Sequence, residues 1–342
     1  MSKPVILGTG SCLPERVLAN TDLEKMVDTS DEWIASRTGI RERRIAGNNQ
    51  KTSMIAAEAG RQAMKMAGLS VFDLDVIMVA TISSEMTMPS CACLVQKELG
   101  AVNAYAFDLN AACSGFLYSL DLADKFVRAD PTKKILVIGA ETLSSRTNWQ
   151  DRNTCVLFGD GAGACVVGAA DNEQNGILCS KLFSDGSLWE LLSMNAAPSM
   201  NPYLDNGGLE GPVDFSRLGS QTESEGSCIH MVGKDVFKYA VRAMEDAIDT
   251  VLTESHISLH DLKLLIPHQA NIRILNNLAE RLDIDREKIY INVQKYGNTS
   301  AASIPIALDE ANREGRLQQG DLLLMCAFGG GFTWGAMVMS WQ

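Results

Sequence analysis

Short apolar runs alternate with helix-forming segments along this chain, and the same order of elements occurs twice. In the first half, "VIMVATIS" (76–83), "AYAFDLN" (104–110), "KILVIGAET" (134–142) and "GDGAGACVVGA" (159–169) read as strands. Helices are predicted over residues 89–99 and 113–127. In the second half, "KLLIPHQA" (263–270), "KIYINVQ" (288–294), "DLLLMCAFGGG" (321–331) and "TWGAMVMSW" (333–341) read as strands. Amphipathic helices are predicted over residues 234–252, 271–282 and 299–315. Such alternation calls for a layered α/β fold. Its recurrence suggests a duplicated unit, with halves at residues 1–175 and 176–342. Cys113 opens the helix after "AFDLN" and Asn298 the helix after "IYINV", so these two helix starts are expected to meet near a pseudo-two-fold axis.

Between the halves lies the one irregular tract, residues 194–228, rich in Gly, Pro, Asn and Ser. It reads as a long loop, of the kind that serves as a lid, a binding loop or a disordered connection.

Bulk properties narrow the function. No apolar run reaches the roughly 18 residues a membrane span needs, and "MSKPVILGTG" reads directly as a first strand. A cytoplasmic location is the expectation. The net charge of −12 argues against nucleic acid and anionic membrane as partners. The nine cysteines have irregular spacing and form no disulfide framework. Cys91 and Cys93 make an isolated C-x-C with no further ligands nearby, so no metal site is expected.

Several stretches carry candidate chemistry. In "NAACSGF", Cys113 sits at a predicted helix start, where unpaired N–H groups and the macrodipole favour a thiolate. Read singly, a buried packing cysteine is the commoner alternative. Of the four histidines, only His268 in "PHQAN" falls at a predicted strand end. Asn298 in "GNTSAAS" reads by itself as an ordinary N-cap. The glycines of "GTGSCL" and "GDGAGA" lack a dinucleotide or phosphate-loop pattern. Those of "FGGGFTWG" follow a strand and let backbone N–H groups crowd a site, as an oxyanion hole requires. "RTGIRERR" after Trp33 is either a solvated face or a local site for a phosphate-bearing ligand.

Together and in this order, "NAACSGF", "PHQAN", "GNTSAAS" and "FGGGFTWG" resemble the thiolase superfamily, specifically the β-ketoacyl-acyl-carrier-protein synthase III family. "DTSDEWIASRTGIRERRIA" near the N-terminus is similar to the same family. The resemblance implies a thiolase-like α/β fold, a five-layered α-β-α-β-α architecture with mixed sheets. It implies decarboxylative condensation of an acyl-CoA primer, acetyl-CoA above all, with malonyl-acyl-carrier protein at the start of type II fatty-acid synthesis. On that basis Cys113 would carry the acyl group, and His268 and Asn298 would donate to the malonyl thioester carbonyl. The backbone N–H groups of Cys113 and Gly330 would hold the oxyanion, with Phe328 as a wall. Trp33, Arg37 and Arg152 would bind the adenine end of CoA, and Asn271 its pantetheine arm. Lys238 and Arg273 would receive the acidic carrier protein. CoA thioester is then a substrate, and no metal or redox cofactor is required.

Two departures bear on primer choice. The 194–228 tract is longer than the usual connection, and Met88 stands where many members carry phenylalanine. In the family that position reaches the neighbouring subunit's acyl pocket, which implies a homodimer. A flexible methionine there suits a longer or branched primer, so a related condensing enzyme with such a primer, or one serving secondary metabolism, is the competing reading. A cysteine peptidase is disfavoured because the local "CGSCW" pattern is absent. A non-catalytic carrier-binding module would not need Cys113, His268 and Asn298 together.

Overall fold

The structure is a computed structural model that describes residues 3–47, 49–170, 175–195 and 228–342. The first half runs β1 (Pro4–Cys12), β2 (Val17–Ala19), α1 (Asn20–Leu23), α2 (Asp31–Thr38), β3 (Glu42–Arg44), α3 (Thr52–Ala67), β4 (Val76–Ala80), α4 (Cys91–Leu99), β5 (Tyr105–Leu109), α5 (Gly115–Ala129), β6 (Ile135–Thr142) and β7 (Asp160–Ala169). The second runs β8 (Gly176–Ser184), β9 (Leu192–Met194), β10 (Ile229–Met231), α6 (Gly233–Ser255), β11 (Leu264–Pro267), α7 (Ile272–Leu282), α8 (Val293–Tyr296), α9 (Ser303–Arg313), β12 (Leu322–Gly329) and β13 (Thr333–Ser340).

The pairing order repeats between the halves. One sheet is ordered β1-β7-β6-β4-β5, with β4 parallel to both neighbours and the other pairs antiparallel. The other is ordered β11-β12-β13-β8, with β11 parallel to β12 and the rest antiparallel. Both sheets are mixed, and β8, β11, β12 and β13 take the places of β1, β4, β6 and β7.

Strand alternation explains the layers. Along β4, Val76 and Met78 enter one core while Ile77 and Val79 enter another. Along β12, Leu323, Met325 and Ala327 point inward while Leu324, Cys326 and Phe328 point to the opposite side. Central strands with both faces covered read as continuous apolar runs, as these do. The core between the sheets takes Phe116, Leu117 and Leu120 from α5 and Ile304, Ala307 and Leu308 from α9. Helix α3 covers the outer face of the first sheet and α6 that of the second. The result is the expected α-β-α-β-α stack.

The halves also brace each other. Asp309 of α9 is buried and accepts from Thr9 Oγ1 (2.9 Å) and Ser11 Oγ (2.7 Å) of β1. From α5, Tyr118 donates to the Phe183 carbonyl of β8 at 2.7 Å. Gly139 of β6 lies against the backbone of the second half: a Cβ there would stand 2.2 Å from the Ala301 carbonyl oxygen.

One predicted strand is absent. Residues 288–294 form no ladder; Ile289 makes a single bridge to Leu265, and α8 begins at Val293. The buried Gln269 side chain takes over the pairing there. Its amide donates to the carbonyls of Pro267 (2.8 Å) and Tyr290 (3.1 Å) and accepts from the Asn292 N–H (2.9 Å). The irregular tract keeps its two ends together, since β9 pairs antiparallel with β10. Residues 196–227, most of that expected loop, lie outside the described residues.

Gly139→Ala is expected to cost about 1–3 kcal/mol in urea unfolding, because the neighbour in its way is backbone and must shift. Unchanged stability would show that the turn carrying Ala301 yields freely.

Candidate active site

The equivalent ends of α5 and α9 are built alike. Asn110 Oδ1 accepts the Ala112 N–H (3.3 Å), Ala112 takes a left-handed φ of 45°, and a 3-10 turn over Ala112–Ser114 leads into α5. Asn298 Oδ1 accepts the Ser300 N–H (2.8 Å), Ser300 takes φ 49°, and a 3-10 turn over Ser300–Ala302 leads into α9. The true counterpart of Asn298 is therefore Asn110, and that of Cys113 is Ala301. This corrects the pairing of Cys113 with Asn298 as two helix starts. Cys113 sits in the turn ahead of α5, and Asn298 stands two residues before its own turn.

Rigid backbone fixes the other groups. Asn298 is pinned to the first half, donating its N–H to the Leu157 carbonyl (2.8 Å) and accepting from the Gly159 N–H (3.0 Å). Because Oδ1 is already used, its Nδ2 donor remains for a ligand. His268 follows β11, and its N–H extends the ladder to the Cys326 carbonyl at 2.8 Å. Its Nδ1 lies 2.6 Å from Ser303 Oγ, which also accepts from the Gln269 N–H at 3.3 Å. Where the Ser303 hydroxyl donates to Nδ1, the ring proton sits on Nε2 and points away from Ser303. Burial lowers the imidazole pKa to about 4, so the ring is neutral at neutral pH.

Cys113, His268, Asn298, Phe328 and Gly330 line one cavity of about 1160 Å3. Gly329 is required beside them, since a Cβ there would stand 2.7 Å from the Cys113 nitrogen. The Cys113 thiol is pushed up to about 12, chiefly by burial; the Glu141 carboxylate adds to this, while the Ser300 hydroxyl and the cysteine's own N–H oppose it. Desolvation is the largest influence on the thiol and favours its protonated form.

The mouth of the cavity is cationic and aromatic. The Arg152 guanidinium lies 4.5 Å, and that of Arg37 5.4 Å, from the Trp33 ring centroid. Trp33, Arg37, Asn271 and Arg273 line the cavity. Asn271 caps α7, its side chain accepting the Arg273 N–H at 2.8 Å. Arg152, Lys238 and Met88 are not lining residues. Arg152 stacks over Trp33 and lies 3.6 Å from Asp28. Lys238 is exposed on α6, one turn beyond the lining Lys234, and Met88 is 86% exposed.

Sequence reasoning missed Ser303, Ser300 and Glu141. The two serines lie within the quoted "GNTSAAS", but nothing in their spacing says which faces a histidine and which a cysteine. Glu141 did leave a signal: a carboxylate inside the apolar run "ILVIGAET" is fully buried and needs a reason to be there. Among the described residues, no cluster of His, Cys, Asp and Glu is arranged to hold a metal.

The duplicated five-layer architecture defines the chain as a thiolase-fold protein of the acyl-transferring, condensing type. Residues 107–186 match the 3-oxoacyl-[acyl-carrier-protein] synthase III family, and residues 252–341 match its C-terminal family. A β-ketoacyl-[acyl-carrier-protein] synthase III of Desulfotalea psychrophila is 56% identical, covering 98% of this chain and 99% of the relative. The crystal structure of the synthase III from Aquifex aeolicus is 48% identical, with a TM-score of 0.88 over 99% of this chain and 100% of that one. The Thermus thermophilus structure is 40% identical, with a TM-score of 0.88 over 99% of both chains. The chain belongs to the β-ketoacyl-[acyl-carrier-protein] synthase III family, as its motifs implied.

A neutral His268 has a direct spectroscopic consequence. Nitrogen-15 NMR of the imidazoles is expected to show one histidine as the neutral Nε2–H tautomer, unchanged until pH falls to about 4. A His268 ring that titrates at the ordinary value of about 6.5 would contradict this reading.

Proposed function

We propose that the cavity admits an acyl-CoA primer, that Cys113 takes its acyl group as a thioester, and that the acylated protein condenses with malonyl-acyl-carrier protein. The reading rests on a thiol, an imidazole and an amide lining one cavity whose mouth carries stacked arginine and indole. A cavity of about 1160 Å3 is large enough for an extended pantetheine arm, and its walls are largely apolar. Trp33 with Arg152 stacked on it offers a flat, cationic surface for a purine, and Arg37 lies beside them for phosphate. Asn271 is the proposed pantetheine contact.

The chemistry follows in two stages. The Cys113 sulfur attacks the primer carbonyl, its oxygen gathers negative charge, and the N–H groups of Cys113 and Gly330 receive it. CoA leaves as a thiol. Malonyl-carrier protein then enters, with Lys238 and Arg273 as the proposed cationic contacts of the carrier. His268 Nε2–H and Asn298 Nδ2–H donate to its thioester oxygen. Two neutral donors aimed at one oxygen stabilise the enolate formed as CO2 departs. The enolate carbon attacks the acyl-cysteine and the carbon–sulfur bond breaks, giving a β-ketoacyl-carrier product and a cysteine thiolate that takes one proton from water to restore the thiol. No step calls for a separate cofactor.

The longer-primer reading retains one supporting observation, a flexible and exposed Met88 in place of a stiff aromatic ring. We also propose a homodimer built on the edge of the first sheet. Strand β5 ends that sheet, with Tyr105 54% and the nearby Val102 75% exposed. An unpaired apolar edge calls for a cover. No helix among the described residues is long and apolar enough to cross a membrane; we place the protein in the cytoplasm, divided functionally at residues 1–175 and 176–342.

Incubation with a panel of acyl-CoAs is expected to leave one acyl group on Cys113, read by peptide mass spectrometry. Acylation elsewhere, or none with any member of the panel, would overturn the mechanism. His268→Ala is expected to accept the acyl group but to lose about 10²–10³-fold in decarboxylation of malonyl-carrier protein. Trp33→Ala is expected to raise KM for acyl-CoA roughly tenfold with kcat little changed; an unchanged KM would remove Trp33 from the binding site.

A further inference from the structure

The acylation stage lacks a proton acceptor. The thiol is protonated at rest, and His268 is a poor base whose Nδ1 is already engaged by Ser303. Beside Cys113 stand two buried groups that the condensation does not use. Ser300 is only 1% exposed, lines the cavity, and its hydroxyl has no hydrogen-bond partner. Its turn, Ser300–Ala302, packs against both the Ala112–Ser114 turn that carries Cys113 and strand β6 that carries Glu141, and its hydroxyl makes a hydrogen bond to neither group in the resting structure. Glu141, at the end of β6, is fully buried, yet no cation pairs with it among the described residues. It is held instead by neutral donors: the Ile82 N–H (3.2 Å), the Thr81 hydroxyl (3.2 Å) and the Ser83 hydroxyl. A fully buried hydroxyl without a partner is costly, so its place on a turn packed against the thiol's turn and the carboxylate's strand needs a function.

We propose that Ser300 relays the Cys113 thiol proton to Glu141 during acyl transfer. The Sγ–H bond breaks and the proton passes to Ser300 Oγ, while the serine's own proton passes to a Glu141 carboxylate oxygen. The freed sulfur electron pair forms the bond to the acyl carbon. When the tetrahedral intermediate collapses, the bond from that carbon to the CoA sulfur breaks. The proton returns from Glu141 through the same hydroxyl to the departing sulfur, giving free CoA thiol. Throughout, the buried region carries one negative charge, first on the carboxylate and then on sulfur. Ionising the thiol beside an ionised Glu141 without the transfer would place two there, which desolvation forbids. Contacts that are open in the resting state are expected to close when substrate excludes water from the cavity.

The carboxyl has the right affinity for this task. Burial raises its pKa to about 7, and the hydrogen bonds from Ser83, Ile82 and Thr81 restrain the rise. The titratable groups facing it are the thiols of Cys113 and Cys91, both raised by burial and both neutral at that pH. Only ionised Glu141 can accept the proton, so acylation strengthens as pH rises through about 7.

The relay rests on Cys113 as the acyl acceptor, and its test separates the two claims. Single-turnover acylation of Cys113 by acetyl-CoA is followed against pH in wild type, Ser300→Ala and Glu141→Gln. Wild type is expected to show a rise near neutrality, and both variants to lose that rise together with about 10²-fold in rate. Ser300→Ala is the decisive variant, because its hydroxyl holds nothing else in place, whereas Glu141→Gln disturbs three donors. A Ser300→Ala protein with the wild-type rate and pH profile overturns the relay and leaves the acyl-acceptor role intact. If wild type takes no acyl group from acetyl-CoA or from any other member of the acyl-CoA panel, that role falls, and alkylation of Cys113 by iodoacetamide decides the relay by itself. The relay then stands if Ser300→Ala abolishes the neutral rise in alkylation and falls if the rise persists.

Discussion

The contact on which the site depends is the near-touching of the two 3-10 turns that precede α5 and α9. Each turn lies between its own half and the other half's sheet. Gly139 of the first sheet lets the Ala301 carbonyl approach to a distance no side chain would permit. Phe158 bridges to Asn298, and Ser114 donates its hydroxyl to the Thr333 carbonyl of the second sheet at 2.9 Å. These backbone contacts bring a thiol from one half beside an amide and hydroxyl from the other. A helix packed only on its own sheet would leave them apart.

Burial sets the chemistry within this arrangement. The same low-dielectric surroundings hold the thiol protonated, the imidazole neutral and the carboxyl near neutrality. The consequences differ by role. A neutral imidazole oriented by Ser303 is a good donor and a poor base, which suits enolate stabilisation. A thiol that stays protonated at rest resists unproductive oxidation and alkylation, and reacts once a base is engaged.

Charge is organised differently at the mouth. A chain of net charge −12 gathers Arg37, Arg152, Arg273 and Lys234 around one opening. Local cations at a concave mouth attract phosphate and acidic partners even when the whole molecule is negative. β9 and β10 close the wall beside this opening, and Leu192, Met194, Ile229 and Met231 from them face the cavity. The irregular tract thus leaves from and returns to the edge of the site.

The sequence by itself determined the layered α/β repetition, the cysteine, histidine and asparagine motifs that line one cavity, and the family. Strand periodicity and fixed motif spacing are local properties, and a buried central strand must be apolar wherever its partners lie. Its errors arose where tertiary contacts replaced local rules. Residues 288–294 have strand composition, but the Gln269 side chain takes their pairing. Asn298 reads as a helix start, yet its bridge to Phe158 and its turn make it the counterpart of Asn110. Only the tertiary structure could show that Ser303 orients His268, that the turn carrying an unpartnered Ser300 packs against the segments carrying Cys113 and Glu141, and that burial raises the thiol's pKa. Those facts depend on what lies across the interface between the halves, and the order of residues along one chain does not encode which side chains meet there.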